Sequence, residues 1–124
     1  MQDTVIHDLA TKLTEGLYEN HPDLIERYGE RGRQKCIEDN EHHYRHLDTA
    51  YQMGDASLFT NYSSWLQGLL SARGMAPVYL LENFVMMKEL LGGQVLSLDE
   101  EQRKFYLHCL DNGIAVLKEM EAAF

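Results

Sequence analysis

The sequence predicts an all-α protein, a compact antiparallel bundle of about five main helices with one short corner helix. Apolar residues recur at helical spacing in every long segment. No segment alternates apolar and polar residues between turn signals, as a half-buried strand would. The two prolines, Pro22 and Pro77, stand where helices should begin. A chain of 124 residues can bury one core, so we expect a single domain over residues 1–124.

Start and stop signals divide the chain into these helices. Asp3 or Thr4 can cap the first, and glycines follow the apolar stretches at Gly29, Gly54 and Gly74. Residues 97–100 have the pattern of a capping box. The predicted elements are a helix from 3 or 4 to about 18–20, a corner helix over 22–28, and helices over about 31–53, 58–72, 78–91 and from 97–100 to the C-terminus.

Charge and composition exclude some partners. The net charge is −9 and the isoelectric point is near 5.0. Binding to nucleic acid or to an anionic membrane needs a basic surface, so we expect neither partner. Cys36 and Cys109 lie in apolar helical sequence without C-x-x-C spacing, which is typical of reduced core thiols. Without a leader-like or membrane-spanning segment, a cytoplasmic location is favoured.

The helix predicted over 78–91 is apolar nearly all round, with Glu82 and Glu89 on a narrow polar strip. Such a helix lies at the centre of a fold or in an interface. Together with the aromatic C-terminal helix, it offers more apolar surface than a small monomer easily covers. We therefore expect a homodimer that forms through these apolar faces.

A histidine-rich stretch carries the strongest chemical signal. Asp39, His43 and His46 follow one another at intervals of four and three residues, so a helix brings them to one side. The structural interpretation is that Asp39 accepts a hydrogen bond from a buried His43. The alternative is a metal- or tetrapyrrole-binding bundle that uses His43 with Asp39 and His46. The Glu-x-x-His motif on another helix that a di-iron bundle requires is absent from the sequence. We therefore expect the protein to bind no cofactor.

The helix predicted over 58–72 presents an aromatic pair, Tyr62 and Trp65. Their spacing from the neighbouring leucines favours a place in the core. The alternative is a pocket for a flat ligand, with Met86 and Met87 as its opposite wall. Arg73 follows the last apolar turn, where its side chain would bond the free carbonyls of the helix end. Nucleophile motifs such as Gly-x-Ser-x-Gly are absent from the sequence, which favours a non-catalytic protein.

A set of motifs stands out over residues 21–77, about half of the chain: the run 21–32, Cys36-Ile37-Glu38-Asp39, His43, Gly54-Asp55, Leu58-Phe59, Tyr62, Trp65, Leu66, Leu70 and Arg73-Gly74. In these motifs the segment resembles a helical module of bacterial sensory and regulatory proteins that often precedes a cobalamin-binding domain. The resemblance implies a small sensory, regulatory or protein-interaction module, with a ligand in its core as a further option. It also implies characteristic positions for ligand binding or a polar core at Asp39, His43, Tyr62, Trp65 and Arg73. The sequence contains no Asp-x-His-x-x-Gly cobalamin loop.

Overall fold

The computed structural model describes residues 1–93 and 98–124, and these residues form five α-helices and no strand. The helices are α1 (Asp3–Asn20), α2 (Asp23–Met53), α3 (Ser57–Ala72), α4 (Pro77–Gly92) and α5 (Glu100–Ala123). The prediction of an all-α helical fold is confirmed. None of these helices combines the length and the apolar character that crossing a membrane requires.

The chain divides into two compact units, Met1–Arg45 (unit 1) and His46–Phe124 (unit 2). Unit 1 contains α1 and most of α2, whereas unit 2 contains the end of α2 with α3, α4 and α5. Each unit has buried apolar residues of its own. The expectation of a single domain over the whole chain stays a prediction.

In unit 1, a buried polar contact joins α1 to α2. The Asn40 side-chain amide donates a hydrogen bond to Thr14 Oγ1 at 3.0 Å, and the Thr14 hydroxyl donates to the Ala10 carbonyl at 2.9 Å. Cys36 Sγ lies 3.7 Å from both Thr14 Oγ1 and Asn40 Nδ2. Because a buried polar group without a partner is costly, this set holds the two helices in one register.

The predicted corner helix and long helix form the two parts of α2, with a kink at Gly29. Gly29 has φ 63° and ψ −164°, so the chain leaves helical geometry there. This backbone conformation is nearly restricted to glycine, because a Cβ would clash with the adjacent peptide. The break that Gly29 predicts in the sequence is therefore confirmed.

We expect Gly29→Ala to lower the free energy of unfolding by about 1 kcal/mol, the lower end of the cost of such a conformation. The side chains of Tyr28 and Glu30 are exposed, so the chain can adjust there. Beyond the adjacent residues and the helix's own backbone, a Cβ at Gly29 would meet no described atom within 4 Å, so the effect comes from the local backbone conformation and not from tertiary packing. Urea unfolding followed by circular dichroism measures it. Gly92→Ala is the control, since Gly92 has no positive φ and a Cβ there would likewise meet no described atom within 4 Å beyond its own helix backbone. Equal stability of the Gly29 variant and wild type would contradict the expectation.

In unit 2, α3 and α4 both pack against α5. The closest approach is at Gly113 of α5, where an added Cβ would lie 3.0 Å from Ser63 Oγ, 3.1 Å from the Phe59 ring and 3.2 Å from the Phe84 ring. The rings of Phe59 and Phe84 are 5.2 Å apart and fully buried. Glycine at position 113 therefore lets three helices meet at one point.

Two predicted helix caps need correction. The cap of α1 is Gln2, without a side-chain hydrogen bond, and Asp3 lies inside the first turn. The cap of α5 is Asp99, whose carboxylate accepts a hydrogen bond from the Gln102 backbone N–H at 2.7 Å. Ser97, the first residue of the predicted capping box, lies outside the described residues.

Candidate functional site

Asp39 lies on the solvent side of α2. Its carboxylate is 3.0 Å from Lys35 Nζ, one helical turn earlier, and its side chain is 51% exposed. The prediction that Asp39 is the buried partner of His43 is therefore wrong. The buried polar side chain next to Asp39 is Asn40, which donates to Thr14 of α1. The interior of α2 extends to Ile37, Tyr44 and Asp48, on the side of the helix away from Asp39.

The two histidines of the predicted cluster have different environments. His43 is buried, whereas His46 is exposed and stacks on the Tyr62 ring with centroids 3.7 Å apart. Among residues 1–93 and 98–124, no group of three or more histidine, cysteine or carboxylate side chains is placed to hold a metal ion. The structure thus does not support the metal site predicted at Asp39, His43 and His46. The tetrapyrrole alternative stays a prediction.

The main buried carboxylate of unit 2 is Asp48, a residue that the sequence pattern does not single out. The Tyr106 hydroxyl donates a hydrogen bond to Asp48 Oδ1 at 2.6 Å, and Gln52 donates to Oδ2 at 3.0 Å. Gln102 donates to the Tyr106 oxygen at 2.7 Å. Burial and the hydrogen bond to Asp48 raise the pKa of Tyr106 above its ordinary value. These groups are paired with one another, which is typical of a structural network that joins α2 to α5.

Neither thiol is activated. Burial raises the pKa of Cys109 to about 11, and it also raises that of Cys36. The thiolate is the reactive form of cysteine, so both side chains are protonated at neutral pH and are poor nucleophiles. Cys109 is buried, as predicted for a core thiol, whereas Cys36 is half-buried beside the polar side chains of Thr14 and Asn40.

The end of α3 is closed by backbone groups and not by the Arg73 side chain. The N–H groups of Arg73 and Met75 donate to the Leu70 carbonyl, and Gly74 N–H donates to Ser71. Gly74 has φ 82°, the left-handed conformation that completes such helix ends. The Arg73 side chain is exposed and bonds to no residue that the structure describes. Its predicted role in binding the carbonyls is therefore wrong.

An apolar stripe on α3 points to solvent. Its members, spaced four, three and four residues apart, are Leu58, Tyr62, Trp65 and Leu69, which we call the α3 outer face. Trp65 is 62% exposed, Leu69 43% and Leu58 37%, while Tyr62 is half-buried beside His46. Trp65 is thus one of the most exposed apolar side chains of the protein, and the prediction that it lies in the core is wrong.

The inward side of α3 explains this outcome. The fully buried side chains of α3 are Phe59, Ser63 and Gln67, two of which are polar. The Ser63 hydroxyl donates to the Phe59 carbonyl, and the Gln67 amide donates to Ser71 and to the Met75 carbonyl. The donors of both polar side chains therefore have acceptors inside the fold, while the Gln67 side-chain oxygen is buried without a hydrogen bond to any described residue. The more apolar stripe of α3 remains outside. The predicted pocket between Trp65 and Met87 is not supported, since Met87 is fully buried and Trp65 faces solvent.

The α3 outer face is also without charge. Charged residues make up 25% of the chain, yet none of the 16 residues of α3 is charged. Solvent-facing helix positions normally carry lysine, glutamate and other charged side chains. Contiguous exposed apolar surface of this kind is typical of an interaction site.

No protein-family model, curated protein or solved structure matches this chain. The resemblance of residues 21–77 to the regulatory helical module stays a prediction. Of its characteristic positions, the structure places His43 in the interior, Tyr62 half-buried, and Asp39, Trp65 and Arg73 at the surface. Tyr62 and Trp65 are brought together on the α3 outer face, with ring centroids 6.4 Å apart.

Proposed function

We propose that this protein is a small non-catalytic regulatory module that acts by binding protein through the α3 outer face. The observation that carries the proposal is the exposure of Trp65 at the centre of an uncharged apolar stripe. Tryptophan and tyrosine are the side chains most enriched at the energetic centres of protein interfaces. The resemblance of residues 21–77 to a sensory module supports the regulatory class.

The states of Asp48, Tyr106 and the two thiols support the proposal of a non-catalytic protein. The carboxylate of Asp48 and the hydroxyl of Tyr106 bond to each other inside unit 2, and both thiols have raised pKa values. A catalytic group needs a pKa near the working pH and access to a substrate. The four members of the α3 outer face are two leucines, a tyrosine and a tryptophan, without a carboxylate, thiol or imidazole, so binding is the function that its chemistry favours.

Photo-crosslinking in the native cell tests this function. A photoreactive phenylalanine analogue, such as p-benzoylphenylalanine, replaces Trp65 in one strain and Tyr79 in a matched control strain. Tyr79 is an exposed aromatic residue of α4, outside the α3 outer face. We expect irradiation to yield a discrete protein adduct from position 65 and none from position 79. Absence of a protein adduct at position 65, or equal adducts at both positions, would overturn the proposal.

A further inference from the structure

The spacing of the α3 outer face is that of a helix seam. Its members are separated alternately by four and three residues, the spacing with which one helix packs along another: Leu58, Tyr62, Trp65 and Leu69. Reversed about its middle, the stripe matches itself: Leu58 falls opposite Leu69, and Tyr62 opposite Trp65. An isologous interface needs this self-complementarity, because the same patch serves both partners.

Charge favours a second copy at this face. Each chain carries a net charge of −9, so two copies repel wherever their charged surfaces meet. A charged residue near a two-fold axis also faces its own copy. The α3 outer face avoids both effects, since α3 has no charged residue along its whole length.

The interface predicted on α4 is less suitable. Of its exposed apolar residues Val78, Tyr79 and Val85, the two valines lie on the same side of the helix as Glu82 and Glu89. Two copies meeting there would bring carboxylates of both chains together. The inward side of α4 packs inside unit 2, where Leu80, Phe84 and Met87 are buried. The expected homodimer therefore has a better surface on α3.

Gly68 is a second, independent observation on the same face. It lies in the interior of α3, beside Trp65 and Leu69 on the outer side, with no positive φ. Outside its own helix backbone, a Cβ at this position would meet no atom of residues 1–93 and 98–124 within 4 Å, so packing within these residues does not require glycine. Glycine is less favourable than alanine inside a helix. The close approach of another backbone would explain why position 68 is a glycine, as the approach of α3 to α5 explains the glycine at position 113.

We infer that the protein bound by the α3 outer face is a second copy of this chain, with the two α3 helices antiparallel across a two-fold axis between Tyr62 and Trp65. This inference rests on the proposed function and names its partner. In the dimer, the four aromatic rings of the two copies form the centre of the interface. Gly68 of each copy lies at the edge, where it allows the helices to come close.

Sedimentation equilibrium over a wide concentration range tests the inference. We expect wild type to dimerise reversibly, and Trp65→Glu to weaken the dimer at least about thirtyfold, since it removes a central tryptophan and introduces a charge at the axis. Tyr79→Glu, with the same change in charge on α4, is the control and should dimerise like wild type. A monomeric wild type at high micromolar concentration, or equal dissociation constants for Trp65→Glu and wild type, would overturn the inference.

Gly68→Ala gives a test that does not depend on adding charge. In the monomer, it should keep or raise the melting temperature, because alanine favours the helix. In the dimer, the added methyl group should weaken association by about tenfold. An unchanged or tighter dimer would contradict the close approach at Gly68.

The two experiments separate failure of the inference from failure of the proposed function. An adduct at position 65 with a different protein, together with a monomeric wild type, would overturn the second copy alone and leave the binding function standing. A dimer that is insensitive to Trp65→Glu, together with no adduct at position 65, would overturn both. An adduct with the mass of two chains supports both.

Discussion

Replacement of Phe59 by alanine is expected to lower the free energy of unfolding by about 3–5 kcal/mol, the usual cost of removing a buried phenylalanine ring. Phe59 is fully buried, and its ring lies 5.2 Å from that of Phe84 and 5.8 Å from that of Tyr62. It also lines the close approach at Gly113. Alanine would leave a cavity where α3, α4 and α5 meet. Urea unfolding followed by circular dichroism at low protein concentration measures the change.

Phe124→Ala is the matched control for this prediction. It removes the same ring at a position that is 60% exposed, where little apolar contact is lost. We expect its free energy of unfolding to stay within about 0.5 kcal/mol of wild type. Similar losses in the two variants would show that the interior of unit 2 does not depend on Phe59 as described.

Tyr106→Phe is expected to lower the free energy of unfolding by about 2–3 kcal/mol, the upper range for a lost hydrogen bond to a charged group. The variant keeps the ring but removes the donor that lies 2.6 Å from Asp48 Oδ1. The carboxylate then stays in the interior with one donor fewer. Tyr51→Phe is the control, since the Tyr51 ring contacts Phe105 and Tyr106 while its hydroxyl bonds to no described residue. A loss in the control equal to that of Tyr106→Phe would contradict the network.

The raised pKa of Tyr106 predicts that the free energy of unfolding depends on pH in the alkaline range. The pKa of Tyr106 in the folded protein lies above its ordinary value of 10.0, so the unfolded chain loses this proton first as pH rises. The contribution of the neutral phenol is therefore complete below pH 10 and is lost at higher pH. We expect the difference in unfolding free energy between wild type and Tyr106→Phe to narrow as pH rises above 10. A difference that is constant or grows across this range would contradict the assigned burial of the phenol.

The helices were predictable because their ends are marked by local chemistry. Pro77 begins α4, and Gly54 and Gly74 follow α2 and α3 with positive φ, as the stop signals indicate. Gly29 was also correctly interpreted as a break. The caps at Gln2 and Asp99 were less predictable, since several neighbouring residues could serve and only the three-dimensional path of the chain decides among them.

The candidate site was harder to predict, because burial on α3 does not follow hydrophobicity. Ser63 and Gln67 are buried although Trp65 is exposed, and the Ser63 hydroxyl and the Gln67 amide N–H groups donate to acceptors inside the fold. A pattern that counts apolar positions assigns the opposite face. The sequence does contain one usable signal, which is the absence of charged residues from the whole of α3. A helix with one side in solvent normally carries charged residues there, so their absence indicates a side that contacts a partner.

The fluorescence of Trp65 tests the central claim most directly, because Trp65 is the single tryptophan of the chain and lies on the α3 outer face. We predict that raising the protein concentration shifts its emission to shorter wavelength and reduces quenching by acrylamide, with the same midpoint as dimer formation in sedimentation. Gly68→Ala should move this midpoint to higher concentration. Emission and quenching that stay constant from nanomolar to high micromolar concentration would contradict a second copy covering this face.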